Sequence, residues 1–283
     1  MVRAFCRKIV AVGFFALVLS SSALAQKTIK LVESPVPQLN GPLQDKDVLG
    51  VKLGMSLAEA SRIMGVSSDK KVQQNLESVT WTKNEPPIQI AISSQPAIVT
   101  LDLAETYSEN GISASHSIKI NTLPVFVGNP VFQIQRKVSY NTVDQNPDLQ
   151  TVVDAVLAKY GPASDQKSDQ AGLYSTLIFA WRFTNGVSSS GSRSVDKAVI
   201  NGPFHKRPDC MDSAKFNGYD TILKVVIRAI GGHVHEIQSD LFDANLCAAG
   251  IQALRSQMND AIEAAFAEEK ARLQRNPPAA PKL

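Results

Sequence analysis

The segment at residues 131–183 constrains the fold most, because its pattern predicts a strand, a capped helix and a second strand in that order. In the first strand, apolar side chains recur at every second position and only Arg136 interrupts them, so one strand face is mostly apolar. These apolar residues are Phe132, Ile134, Val138 and Tyr140. The second strand, at residues 177–183, carries Trp181, whose large ring is suited to anchor the helix against the sheet.

The helix between these strands is predicted from its caps and its periodicity. Asn146 is the predicted N-cap, and Pro147 follows in the first turn, where its missing N–H is not needed. Gly161 and Pro162 end the helix. Between these points the apolar side chains form one stripe at helical spacing: Leu149, Val152, Val153, Val156, Leu157 and Tyr160. Such a helix needs a sheet to lie on.

The same order of elements occurs in the first half of the chain. Residues 48–53 are strand-like, and Ser56 and Glu59 then have the spacing of a capping box at the start of a short helix. Strand patterns follow around Trp81 and at residues 88–92 and 98–103. The offset of roughly 90 to 100 residues between the two halves indicates a divergent internal duplication.

We therefore predict an α+β fold with two related modules, each a capped helix packed on an antiparallel β-meander, followed by a long C-terminal helix. The chain divides into a signal peptide, a strand and linker, a first module, a second module with an insertion, a helix and a disordered tail. These segments are residues 1–25, 26–47, 48–128, 129–245 (insertion 184–220), 246–275 and 276–283.

The first 25 residues have the pattern of a secretion signal. Three basic residues (Arg3, Arg7 and Lys8) precede an apolar run at residues 9–19, and small residues precede the predicted cleavage between Ala25 and Gln26. The chain has 29 basic and 26 acidic residues, and the three basic residues leave with the signal. A mature protein without net charge has no global field for nucleic acid or anionic lipid, and we expect no membrane-spanning segment after cleavage. A retained N-terminal anchor is the alternative.

The mature chain keeps two of the three cysteines, Cys210 and Cys247. In an exported protein, two cysteines most simply form one disulfide, which loop entropy makes worth about 4 kcal/mol. The alternative is a catalytic thiol, which would need an activating histidine. We predict the disulfide, which would tether the insertion to the start of the final helix.

Residues 222–241 predict a hairpin with a defined register. A three-residue loop at Gly231, Gly232 and His233 puts opposite charges across from each other and apolar residues on the other face, whereas a two-residue turn does not. The predicted pairs are Ile230 with Val234, Arg228 with Glu236, Lys224 with Asp240, Ile227 with Ile237 and Leu223 with Leu241.

Candidate contact residues lie in the insertion and on two strands. The insertion is long and polar, and such loops are usually functional or disordered. Its basic run, His205, Lys206 and Arg207, is a candidate contact for an acidic partner or else a solvated loop. Trp81 and Trp181 are candidate ligand-stacking residues, although strand placement favours core packing.

The sequence lacks the usual catalytic patterns. It contains no G-x-S-x-G, phosphate-binding glycine loop, dinucleotide fingerprint or H-E-x-x-H. His233 and His235 have a spacing that places two ligands on one strand face, but the predicted register puts His233 in a turn. We therefore predict no catalytic residues, no metal site and no cofactor.

The chain resembles exported bacterial modules in which helices pack on an antiparallel meander. Two features carry this resemblance: a helix that opens at Gly54-Met55-Ser56 and is followed by Trp81, and a helix that ends at Gly161-Pro162 and is followed by Trp181. The modules are the small outer-membrane-assembly lipoproteins of the SmpA/OmlA type and the tandem β-lactamase-inhibitor-protein fold. The resemblance implies an envelope protein that acts by binding.

These observations predict a periplasmic or secreted, non-enzymatic protein that binds a protein partner in the cell envelope. The binding surface would be an exposed sheet face, the insertion or the C-terminal helix. One alternative is a carrier of a small ligand or peptide with a pocket between two sheets. Another is an envelope hydrolase or metal-dependent enzyme that uses His233 and His235.

Overall fold

The computed structural model describes residues 25–37, 43, 46–66, 72–109, 112–142, 146–184, 187–188 and 220–276, which form a mostly β, α+β fold with three helices. The strands are β1 (Ala25–Ile29), β2 (Asp47–Val48), β3 (Val51–Lys52), β4 (Gln73–Glu77), β5 (Thr80–Glu85), β6 (Ile88–Ser94), β7 (Ala97–Glu109), β8 (Ile112–Thr122), β9 (Val131–Tyr140), β10 (Asp165–Ala171), β11 (Tyr174–Thr184), β12 (Val187–Ser188), β13 (Thr221–Ile230) and β14 (His233–Asp243). The helices are α1 (Leu57–Val66), α2 (Leu149–Tyr160) and α3 (Ala244–Arg275).

One antiparallel sheet organises the molecule. Its strand order is β10-β11-β13-β14-β9-β8-β7-β4, and β12 pairs with β11. Strands β8 and β9 are hydrogen-bonded neighbours, so both halves of the chain contribute to the same sheet. The predicted pair of duplicated modules is therefore not confirmed, although the α+β class and the C-terminal helix are.

Helices α1 and α2 cover one face of this main sheet, which we call the α1/α2 face. Ala60 and Met64 of α1 and Val153 of α2 belong to the same buried cluster as the sheet residues below them. A row of directly paired residues on six strands forms the centre of this cluster: Trp181, Leu223, Leu241, Ile134, Ile120 and Leu101. The apolar stripe predicted for α2 packs against this cluster, as expected.

The opposite face, the α3 face, is covered at one end by α3 and by a small three-stranded sheet. Strands β5 and β6 pair with each other and continue along the chain into β4 and β7, which also pair, so the four strands form one long bent hairpin. Strand β1 adds to β6 in parallel. We call β1, β5 and β6 the arm. The long helix α3 packs on it, and none of the helices in the described part of the chain is long and apolar enough to cross a membrane.

Helix α2 begins two residues later than predicted. Its N-cap is Asp148, whose carboxylate accepts a hydrogen bond from the Thr151 N–H at 3.1 Å. Asn146, the predicted cap, is buried before the helix. The carbonyl of Pro147 instead accepts the Val234 N–H from the β13–β14 hairpin, so a tertiary contact keeps this segment out of the helix.

The other end of α2 forms as predicted. Gly161 adopts φ +82° and its N–H donates to the Leu157 carbonyl. The Trp181 indole N–H donates to the Gly161 carbonyl at 3.1 Å, and its ring lies 5.5 Å from that of Tyr160. Trp181 therefore anchors this end of the helix to the sheet.

The segment before α1 differs from its prediction. Residues 48–53 form a small hairpin of β2 and β3, because Leu49 and Gly50 both take positive φ and turn the chain back. The predicted cap holds, since the Ser56 hydroxyl accepts the Glu59 N–H at 3.3 Å.

The β13–β14 hairpin confirms the predicted pairs from Arg228–Glu236 to Leu223–Leu241 and corrects the turn, because Ile230 pairs with His233 and not with Val234. Arg228 lies opposite Glu236, and Lys224 lies opposite Asp240. The turn, however, has only two residues, Gly231 and Gly232, both at positive φ. A bulge, which leaves His235 as the extra residue, restores the register beyond the turn.

Candidate functional site

The α3 face is only half covered by α3 and the arm. Phe242, Ile222 and Ala180 pack in the cluster under α3. Further along the strands, one row of directly paired residues starts apolar with Ile178 and Val226 and then becomes polar with Gln238, Lys137 and Ser117. Directly paired residues point to the same side of an antiparallel sheet, so this polar row shares the α3 face.

The next row, two residues further along each strand, is polar on all seven strands from β10 to β7. We call these two rows the open half of the α3 face. Its polar residues are Lys167, Asp169, Thr176, Arg228, Glu236, Gln238, Lys137, Ser139, Ser115, Ser117 and Thr106.

Three charges form the centre of the open half. Glu236 contacts both the Arg228 guanidinium and the Lys137 ammonium, the latter at 2.7 Å. Burial alone would raise the pKa of Glu236, but the hydrogen bond from Lys137 and the charge of Arg228 hold that pKa below its ordinary value. Half of the Lys137 side chain is exposed, whereas Glu236 is mostly covered, so the centre presents positive charge to solvent.

Two grooves flank this charged centre. A groove of about 570 Å³ lies over β7, β8 and β9, and its lining includes Lys137 and four hydroxyl-bearing residues, Thr106, Ser115, Ser117 and Ser139. A second groove of about 380 Å³ lies over β10, β11, β13 and β14, and its lining includes Lys167, Asp169, Thr176, Arg228 and Gln238. Both grooves are open depressions on a rigid sheet and offer hydrogen-bond donors, acceptors and charges of both signs.

A buried polar seam separates the open half from the apolar end under α3. The Thr100 hydroxyl donates to Asn121, the Asn121 amide donates to Gln133 at 2.9 Å, and the Gln133 amide donates to Asp240 at 3.1 Å. Lys224 lies directly opposite Asp240. All five side chains are buried, and the chain of hydrogen bonds from Thr100 to Asp240 fixes the register of four adjacent strands, β7, β8, β9 and β14.

The α1/α2 face carries a relay that sequence analysis missed. His116 Nδ1 lies 3.2 Å from a Glu105 carboxylate oxygen, and Arg136 Nε donates to His116 Nε2 at 3.1 Å. Burial and the charge of Arg136 lower the pKa of His116, which favours the neutral ring, and the Arg136 donor at Nε2 then places the ring proton on Nδ1. The Nε2 lone pair is occupied by Arg136, and the relay therefore serves as a structural contact in this arrangement. The one sequence signal was Arg136 within an apolar strand.

The predicted contact residues lie in different places. Trp181 is buried beside Phe179 and Tyr160. Trp81 is half-buried and packs against the cluster under α3. The structure thus places both tryptophans in or beside the core and brings neither to the open half. Their roles as contact residues remain predictions.

Other predicted residues fall partly outside the described part of the chain. His205, Lys206, Arg207 and Cys210 lie outside the described residues. Cys247 is buried one turn into α3, and the first N–H of that helix donates to the Asp220 carbonyl at the end of the insertion. Asp220, the last residue of the insertion, and Cys247 therefore lie at the same end of the sheet, while the disulfide itself stays a prediction.

The histidines of the hairpin lie elsewhere than predicted, because His233 is the first residue of β14 and pairs with Ile230 instead of forming part of the turn. His233 Nδ1 lies 3.3 Å from the Asn146 carbonyl, and residues 146–149 pair with the hairpin end. His235 occupies the bulge. Within the residues that the structure describes, no three His, Cys, Asp or Glu side chains are grouped in a way that could hold a metal ion.

Comparison with models of known protein families, with curated proteins and with solved structures found no match to this chain. The resemblance to the SmpA/OmlA type and to the tandem inhibitor fold therefore stays a prediction about arrangement.

Proposed function

We propose that this chain is an exported, non-enzymatic protein that binds a protein partner through the open half of the α3 face. The observation that carries the proposal is the charged centre of Arg228, Glu236 and Lys137, set between two grooves on seven adjacent strands. Side chains on a hydrogen-bonded sheet are held in fixed positions, so a partner meets a preorganised pattern of charges.

The shape of this surface favours a protein over a small molecule. Small-ligand sites are usually concave and apolar, and they enclose most of the ligand. The open half is broad, polar and of mixed sign, which suits a partner with complementary charges and gives specificity more than affinity. The exposed ammonium of Lys137 predicts that acidic side chains of the partner lie over the first groove.

Export rests on the sequence pattern, and the predicted cleavage falls after the first residue of β1. Cleavage between Ala25 and Gln26 would leave residues 26–29 of β1, which pair with Ala91 to Ser94 of β6. The arm would therefore keep nearly all of its first strand in the mature protein. The envelope location is part of the proposal.

Site-specific crosslinking in the native envelope tests this proposal. A photo-crosslinking residue at Ser117, on the open half, should capture one protein reproducibly, whereas the same residue at Gln252, exposed on α3, should not. Adding Lys137→Glu should reduce the capture at Ser117, because it reverses the exposed charge. Adding Lys270→Glu, the same charge change on α3, is the matched control.

The proposal would be contradicted if crosslinking occurred only at Gln252, or if the yield of crosslinking at Ser117 were unchanged by Lys137→Glu. The alternative of a ligand carrier lined by Trp181 gains no support, because that ring packs against Tyr160 and Phe179 and its N–H is bonded to Gly161. A carrier would need a different pocket.

A further inference from the structure

Strand β10 ends the main sheet on one side. It pairs with β11 over seven residues without a bulge, and it has no second partner among the described strands. Residues 166–171 are all exposed. A long, regular and exposed edge is a template on which another strand adds by backbone hydrogen bonds.

The sequence of this strand is self-complementary. Around Ser168, the flanking residues are Lys167 and Asp169, and beyond them Gln166 and Gln170. If two copies of β10 pair antiparallel with the two Ser168 residues opposite each other, each Lys167 faces the Asp169 of the other copy and each Gln166 faces a Gln170. Opposite charges and paired amides across an antiparallel pair are stabilising.

Symmetry leaves few other registers. A two-fold axis that joins two edge strands into one sheet is perpendicular to that sheet, so residues of the same face must oppose each other. A pair centred on Lys167 or on Asp169 would place two like charges directly opposite. The register centred on Ser168 avoids this repulsion and uses all seven residues of the strand.

We propose that two copies of this chain associate through antiparallel pairing of their β10 strands, centred on Ser168, to form a two-fold symmetric dimer with one continuous sheet. The axis is perpendicular to the sheet, so the α3 faces of both copies point the same way. Lys167 and Asp169 line the second groove as well, and the dimer therefore brings the second grooves of the two copies together at the seam.

The other edge of the main sheet supports this choice by contrast. Strand β4 has five residues, and a bulge at Val99 of its neighbour β7 shifts their pairing between Asn75 and Leu76, which disrupts a regular edge. Edge charges generally prevent pairing because they repel. On β10, the order of Lys167 and Asp169 makes these charges attractive toward the β10 strand of a second copy. Another strand would be attracted only if it carried a basic and an acidic residue in the same order.

A charge-swap cycle in the full mature protein tests the dimer. Sedimentation equilibrium should show a monomer–dimer equilibrium for the unchanged protein at concentrations up to about 1 mM. Lys167→Asp alone and Asp169→Lys alone each put two like-charge pairs across the seam, so each should weaken the dimer about tenfold or more. The double variant K167D/D169K restores opposite charges and should restore the dimer.

Two controls keep this result specific. Lys270→Asp changes the same charge on exposed α3 and should leave the dimer unchanged, and thermal melting should show that every variant is folded. A protein that is monomeric throughout, a dimer that survives both single changes, or a double variant that stays dissociated would each overturn the proposal. Binding of a foreign strand in place of a second copy would show as a monomer that forms only mixed complexes, which also overturns it.

Discussion

The two faces of the main sheet are made by the same strands but differ in the polarity and burial of their side chains. On the α1/α2 face, the row from Trp181 to Leu101 is apolar on six neighbouring strands and buried. On the α3 face, the row that starts at Ile178 and Val226 turns polar at Gln238 and stays so as far as Ser117. The first face must be covered to stabilise the fold, whereas the second needs a cover over only part of its length.

The largest effect is expected on the α1/α2 face. Leu223→Ala removes a fully buried side chain from the centre of the apolar row, so we expect a loss of about 2 to 5 kcal/mol in the free energy of unfolding. Urea unfolding measures it. Gln238→Ala, on the other face of the neighbouring strand, is the control and should cost less than about 0.5 kcal/mol. Equal losses would contradict the difference between the faces.

The second effect concerns the start of the helix that covers the α3 face. Asp243 caps α3 through the Leu246 N–H at 2.8 Å, and its burial raises its pKa from 3.8 to about 6. The folded protein then binds more protons than the unfolded chain between these values. The stability that this group contributes is full below pH 3.8 and is lost as the pH rises through about 6.

Asp243→Asn should remove this dependence, because asparagine also caps a helix but does not titrate. Relative to the unchanged protein, the variant should gain up to about 3 kcal/mol between pH 4 and pH 8. Urea unfolding across that range measures the gain. Parallel stability curves for the two proteins would show that Asp243 keeps an ordinary pKa.

The third effect lies in the polar seam. Gln133→Ala leaves the Asn121 amide and one Asp240 carboxylate oxygen without their shared partner inside the sheet, so we expect a loss of about 1 to 3 kcal/mol. Asn141→Ala, which removes an exposed hydrogen bond to Ser113, is the matched control and should be nearly silent. Equal losses of stability in both variants would show that the polar seam does not fix the strand register.

The smallest effect on stability is expected in the open half. Lys137→Ala breaks a half-exposed ion pair with Glu236, and such pairs contribute little, so the free energy of unfolding should change by less than about 1 kcal/mol. The same variant should reduce crosslinking of the partner at Ser117. A large loss of stability, or unchanged capture, would mean that Lys137 serves the fold rather than the surface.

Local sequence patterns predicted the individual strands and helices better than they predicted which of these elements pair or pack with each other. The β13–β14 register followed from opposing charges and apolar faces, because all of that information lies within twenty consecutive residues. The N-cap of α2 could not be predicted in this way, because asparagine and aspartate are both good caps and Asn146 and Asp148 are only two residues apart. The contact that decides between them comes from Val234, far away in the sequence.

Local sequence patterns could not predict the open half or the single main sheet, and the reason is related. The alternation in β8 is visible in the sequence, but which neighbour each strand pairs with depends on contacts between distant segments. The two halves have similar orders of elements, yet the first half sends β5 and β6 into the arm. A shared order of elements therefore did not imply a shared fold.

The arm joins the two ends of the described chain. Ile29 of β1 packs in the cluster formed by α3, and Lys27 pairs with Glu268, 241 residues away. During synthesis from the N terminus, this part of the core has to wait until the last helix has left the ribosome. The order of synthesis thus keeps this part of the core open until α3 is available to pack against β1.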